Sequence, residues 1–190
     1  EFILALGIIT LFSPILVIVP IIIKVTSKGP VFFSQKRVGY HGRKFHLLKF
    51  RTMVADAENK LDDLMDQNEQ SGPVFKISDD PRITSVGKFL RKYSLDELPQ
   101  LINVLKGDMN LVGPRPPLPS EVIQYKPEWR NRLNMKPGIT GLWQVSGRND
   151  IVNFEDWVKL DLEYINTWSL KLDFIIIFKT IPHMIKGSGK

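Results

Sequence analysis

Phe2 to Ile23 carry no charge and almost no polar side chain. At about 1.5 Å of rise per residue, a helix of this length reaches across a hydrocarbon core of about 30 Å. No polar face appears on it, which argues against a soluble core helix, and no small-residue cleavage site follows, which argues against a signal peptide. The reading is membrane insertion. Ser13-Pro14 sits at the midpoint. Pro14 removes a helical hydrogen bond and clashes with the preceding turn, so a kink is expected there, and Ser13 can satisfy a freed backbone group. The residues alone allow either a kinked span or a hairpin that enters and leaves by one face. Lys24, Lys28, Lys36, Arg37, Arg43, Lys44, Lys49 and Arg51 follow at once, and this positive bias places the rest of the chain in the cytoplasm. A chain opening at Glu1 rather than Met reads as a fragment of a longer protein.

The charge pattern narrows the partners. The net charge of +6 and a pI near 9.5 suit nucleic acid, phosphorylated metabolites or acidic lipid. Nucleic acid is disfavoured, because the basic residues cluster behind the apolar segment instead of interleaving with aromatics. With no cysteine, disulfides, thiolate nucleophiles and thiolate metal sites are excluded. The histidines lack metal-ligand spacing, and neither GxxxxGK[ST] nor GxGxxG occurs.

Arg91 to Leu101 places two carboxylates, Asp96 and Glu97, beside each other three residues before Pro99 and its neighbour. Proline fits a first helical turn, so a helix is expected to begin at about Asp96, with Asp96 as its cap. A looser count makes Ser94 the cap and Glu97 its capping-box partner. Either way the dipole favours the ionised carboxylates. An N-cap with no further role is the plain alternative.

Around this stretch, Val31–Phe33 and Phe45–Leu48 read as a β-hairpin around Gly39 and Gly42, its basic residues either a solvated edge or a phosphate-facing surface. Val54–Gln70 reads as an acidic helix, and Asp79-Asp80-Pro81-Arg82 as a turn opening a second one. Lys106–Pro117 is too rich in Gly and Pro to be regular, and it holds Arg115 between prolines, where the side chain loses little freedom on binding a phosphate. Glu121–Met135 is expected to be helical. Lys136–Asn149, with Lys136 and Arg148, is a second Gly-rich irregular stretch. Phe154–Thr167 reads as an amphipathic helix. Leu170–Ile185 is apolar, bent at Pro182, and suited to a membrane interface or to covering the core. The fold class is α+β, mostly helical, with a membrane segment over residues 1–26 and one cytoplasmic unit over 27–190.

In order along the chain stand Lys49-Phe50-Arg51-Thr52-Met53, Ser94-Leu95-Asp96-Glu97, Asn103 to Asp108, Val112-Gly113-Pro114-Arg115-Pro116, Pro137 to Gly141 and Gln144 to Asn149. Together they resemble the bacterial sugar transferases that are monotopic phosphoglycosyl transferases, and more closely the large polyprenyl-phosphate hexose-1-phosphate transferases. The resemblance implies transfer of a sugar phosphate from a UDP-sugar to undecaprenyl phosphate with release of UMP, the first membrane step of exopolysaccharide, capsule or O-antigen synthesis. It implies a re-entrant hairpin bent at Ser13 and Pro14, a place at the cytoplasmic face of the bacterial inner membrane, and a homodimer as a plausible assembly. By similarity Asp96 is the nucleophile and a ligand of the cofactor Mg2+, Glu97 is its partner, and Arg91 and Arg115 lie near the phosphates. Lys49, Arg51, Lys136 and Arg148 are further candidates for phosphate or substrate contact. Two rivals remain: a membrane-tethered basic module that binds anionic lipid without catalysis, and a transferase that passes through a direct ternary complex.

Overall fold

The computed structural model describes residues 1–147 and 151–187. Arg148 therefore lies outside the described residues. The apolar segment forms two helices, α1 (Phe2–Leu11) and α2 (Ser13–Thr26), bent by 61° at Phe12. The break follows from Pro14. It sits in the first turn of α2 and cannot donate to the Thr10 carbonyl four residues back. Ser13 Oγ donates to that carbonyl instead, at 2.8 Å, as the sequence led us to expect. Neither helix alone is long and apolar enough to cross a membrane, but the bent pair meets that criterion together. One face of the pair packs inward through Ala5, Val19 and Ile23, while Ile3, Leu11 and Val25 stand exposed.

The chain then runs into an antiparallel hairpin, β1 (Phe32–Val38) and β2 (Lys44–Phe50), whose register runs from Phe32 opposite Phe50 to Val38 opposite Lys44. Its strands are longer than expected. Phe45, Leu47 and Phe50 face the core. Helix α4 (Gln100–Leu105) packs against β2, and α3 (Ser85–Lys92) packs against α2 and the turn that leads into α4. The buried side chain of Asn103 acts as a short third strand: its Oδ1 accepts from Leu48 N at 3.1 Å and its Nδ2 donates to the His46 carbonyl at 2.8 Å. This fixes α4 against the open edge of β2.

The expected acidic helix over Val54–Gln70 is not formed. Residues there make turns and one 3-10 segment, Asp62–Gln67. Asp and Asn compete with the helix for backbone partners, and Asn68 does so here: it donates to the carbonyls of Gln70 and Val74 and accepts from the N–H groups of Gln70 and Lys76. Glu121–Met135 is likewise not one helix. Helix α5 (Pro119–Ile123) stops, and a 3-10 run, Pro127–Asn134, begins after Lys126. Pro127 drives the residue before it out of the helical region, and Lys126 is extended at ψ 154°. The turn at Asp79–Arg82 forms as expected, closed by Arg82 onto Asp80 at 2.7 Å.

The two Gly-rich stretches are more regular than their composition suggests. β3 (Asn110–Val112) and β4 (Gly138–Thr140) pair in parallel. Glycine allows it: a Cβ on Gly138 would lie 2.0 Å from Gly113 N. Gly138→Ala is therefore expected to destabilise the fold by about 3 kcal/mol, the upper end of overpacking costs, read as a lower thermal midpoint of the purified protein. After α6 (Leu142–Val145), α7 (Phe154–Asn166) and α8 (Leu170–Lys186) complete the chain. Pro182 lies inside α8 without ending it. The corner between α7 and α8 is locked by Asp173, which accepts from Tyr164 Oη at 2.6 Å and from Trp168 Nε1 at 3.2 Å. The core has two parts. The larger joins α1 and α2 to Phe50, Leu90, Leu101, Met109, Tyr164 and Ile176. The smaller is aromatic, built on Tyr125, Trp143, Phe154 and Trp157.

Candidate active site

Asp96 and Glu97 occupy a 3-10 turn, Leu95–Glu97, between α3 and α4. Neither expected capping pattern is present. Helix α4 begins at Gln100, with Pro99 flanking it, and the Ser94 side chain caps nothing. Ser94 instead adopts a left-handed conformation at φ 55°, which turns the chain sharply out of α3. The turn is then held by Glu97 N donating to the Ser94 carbonyl and Leu98 N to that of Leu95, each at 3.3 Å.

Arg91, near the end of α3, is the guanidinium on the Asp96 side. Its Nε donates to Thr52 Oγ1 at 2.9 Å. Burial pushes its pKa below the usual value, and Asp96, then Asp80 and Glu97, pull the other way. Lys49 of β2 reaches Glu97 Oε1 at 2.7 Å. From this pair a cavity of about 140 Å³ extends, walled by Leu47 and Gln100, by Arg37 of β1, by Arg115 and Pro116, and by Gly138, Ile139, Trp143 and Gln144. Glu97 is the dyad carboxylate that lines it. Arg115 lies 5.3 Å over the Trp157 ring, and its Nη1 stands 3.4 Å from each oxygen of buried Glu121. Beneath it, Arg132 is paired with Asp161 at 2.6 Å, donates to Tyr125 Oη at 2.6 Å, and reaches the Arg115 carbonyl at 3.5 Å.

A model of the bacterial sugar transferase family matches residues 1–187. The chain belongs to that family. Galactosyl transferase CpsE of Streptococcus agalactiae serotype III is 55% identical over 161 residues, covering 85% of this chain and 36% of its own length. Exopolysaccharide production protein ExoY of Rhizobium meliloti is 42% identical over 183 residues, 94% of this chain and 80% of its own. Undecaprenyl-phosphate galactose phosphotransferase of Salmonella typhimurium is 47% identical over 165 residues, 85% of this chain and 34% of its own. The chain thus spans about a third of the first and last of these and most of the second.

In this member of the family, Asp96, Glu97, Arg91, Lys49 and Arg115 come together around one turn and one cavity. Arg51 is placed elsewhere: it is buried and donates through Nη2 to the Ser27 carbonyl at 3.0 Å, tying β2 to the end of α2. Lys136 does not line the cavity, and Ser13 and Pro14 sit at the bend of the apolar pair. Among the described residues no group of three or more His, Asp or Glu side chains is arranged to hold a metal. Sequence reasoning missed Arg37, Gln100, Trp143 and Gln144 as lining residues. For Arg37 a signal existed: period-2 alternation puts it with Phe33 and Gln35 on the inward face of β1, where an arginine is out of place unless it has a task.

Proposed function

We propose that the chain is the catalytic part of a transferase that moves a sugar 1-phosphate from a UDP-sugar to undecaprenyl phosphate at the cytoplasmic face of the bacterial inner membrane. The observation that carries this reading is the adjacent Asp96 and Glu97, set between Arg91 and a cavity lined by Lys49, Arg37 and Arg115. An Asp96 oxygen attacks the β-phosphorus of the donor. The bond from that phosphorus to the bridging oxygen breaks, and its electron pair leaves with UMP. A terminal oxygen of undecaprenyl phosphate then attacks the same phosphorus, the Asp96–phosphorus bond breaks, and the carboxylate is restored. Arg91 and Arg115 offset charge on the phosphates as it develops. Glu97, held by Lys49, keeps the turn in place beside the nucleophile.

The donor set suits Mg2+, which binds through one or two carboxylates and completes its shell with water and substrate phosphates. Asp96, with Glu97 as a second oxygen donor, would hold it. Bound there, it would neutralise the diphosphate and stabilise the departing phosphate. The names of the relatives point first to galactose as the sugar and to exopolysaccharide as the product, with capsule and O-antigen the further cases. The assembly we propose is a homodimer. The test is UMP release in nanodiscs from a panel of UDP-hexoses with undecaprenyl phosphate. Turnover is expected with one of them and is expected to stop on chelation with EDTA and return with Mg2+. Salt-sensitive lipid binding without turnover would favour the non-catalytic module instead.

The bent pair supports a re-entrant hairpin, since its outward face is apolar and its break is built into the chain. The absence of cysteine makes this easy to check. Single cysteines at Ile3 and Lys28 are both expected to react with an impermeant maleimide from the cytoplasmic side. Labelling of Ile3→Cys only from the opposite side would establish a span.

A further inference from the structure

The cavity contains a charge that the fold does not balance. Arg37 is only 9% exposed. Its Nη1 donates to the Pro116 carbonyl at 3.0 Å and its Nη2 to Gln35 Oε1 at 2.6 Å, while its buried Nε has no partner. Among the described residues, no ion pair includes it. After burial itself, the strongest influence on Arg37 is another cation, Arg115, and Glu121 and Glu97 only partly offset the two. Together these bring its pKa down to about 9. Trp143, also lining the cavity and buried, has an Nε1 donor without an acceptor. A buried cation without a counter-ion is expensive, and a second guanidinium beside it adds to the expense. The arrangement is that of a site in want of acceptor oxygens and negative charge.

We propose that Arg37 and Arg115 form the subsite for the phosphate that remains on the nucleoside and departs as UMP, and that Arg37 is a substrate-binding residue. This rests on reading the chain as a UDP-sugar transferase. The assignment to one phosphate of the two follows from position. The attacked phosphorus must touch Asp96, which does not line the cavity. The cavity wall does include the adjacent Glu97, together with Arg37 and Arg115. The Arg37–Arg115 pair therefore lies one step beyond the nucleophile, where the far phosphate of a diphosphate falls. Two guanidinium forks around one phosphate supply the geometry such a group prefers.

The experiment compares UMP with uridine, which lacks only the phosphate, in equilibrium binding to nanodisc-embedded wild type, Arg37→Met and Arg37→Lys. UMP release from the UDP-hexose panel is measured on the wild type in parallel. The wild type is expected to prefer UMP over uridine, and Arg37→Met to weaken UMP binding at least about tenfold with uridine binding unchanged. Arg37→Lys is expected to fall between them. Because the methionine removes an unbalanced buried charge, its thermal midpoint is expected to be no lower than that of the wild type, whereas a purely structural arginine would lower it. UMP affinity within about twofold of wild type in Arg37→Met would overturn the subsite. If that variant does not fold, equal UMP affinity in Arg37→Lys does the same. Arg37-dependent UMP binding without UMP release from any donor would leave the subsite standing and remove the transferase reading. Release with Arg37-independent binding would do the reverse.

Discussion

Asp96→Asn is expected to leave the fold intact and lower UMP release by at least about 10³-fold, the scale on which removing a nucleophile acts. The side chain is 6% exposed, and the amide fills the same volume, so no cavity opens. Arg91 loses one of its carboxylates but keeps Asp80 and Glu97, which limits the change in stability. The chemistry separates this variant from Glu97→Gln. Glutamine at 97 breaks the ion pair with Lys49 and loosens the turn, but it leaves the attacking oxygen, so a loss of about 10–10²-fold is expected. The intermediate provides the second readout. Wild type incubated with a donor labelled in the sugar, without acceptor lipid, is expected to retain label and to exchange free UMP into the donor. Asp96→Asn is expected to do neither. Turnover by Asp96→Asn above about a tenth of wild type would reject the dyad as the site of attack. Wild-type turnover without exchange would point to a direct ternary complex.

The parts of this structure that were legible in the sequence are those decided by neighbours along the chain. Pro14 dictates a break, and Ser13 is placed to repair it. The short strands around Gly39 and Gly42 dictate a hairpin, and the amphipathic pattern from Phe154 dictates α7. What was not legible depends on distant partners. The pairing of Asn110–Val112 with Gly138–Thr140 spans strands too short to show a period, and the glycines that permit it read as loop. Val54–Gln70 has helical spacing of its apolar residues, yet Asn68 offers the backbone better partners. At the site, the acidic pair was visible by adjacency, but its surroundings were misjudged. Pro99 suggested a cap at Asp96, whereas the left-handed Ser94 shifts the dyad out of the helix. Arg37 comes near Arg115 where Val38 N donates to the Pro117 carbonyl and Arg37 Nη1 to that of Pro116, contacts that no local rule foretells.

Asp161→Ala is expected to be the most damaging change to stability, at about 3–5 kcal/mol, because it strands a fully buried guanidinium. For a chain of this size that corresponds to a thermal midpoint lower by roughly 10 °C. Arg132 and Asp161 are 3% and 1% exposed, so water cannot take the place of the lost partner. Burial alone would lower the pKa of Arg132, but the Asp161 carboxylate outweighs it, with help from Tyr125, and holds it above its usual value. A base whose pKa is raised by folding contributes stability at every pH below its ordinary value and loses it only as pH rises through the raised one. Arg132 is thus expected to lose none of its contribution between pH 7 and 10, although burial holds the Asp161 carboxyl above its usual value, unlike Arg37, whose lowered pKa makes its burial less costly as pH rises past about 9. Replacing both partners, Arg132→Met with Asp161→Leu, is expected to recover most of the lost stability, since an apolar pair of similar volume often matches a buried ion pair. Activity is expected not to recover with it. Arg132 also reaches the Arg115 carbonyl, so the double variant leaves Arg115 less firmly placed at the cavity, and a raised KM for the UDP-sugar with a near-normal midpoint is the expected result. A double variant with normal KM would show that Arg115 is positioned by its flanking prolines alone.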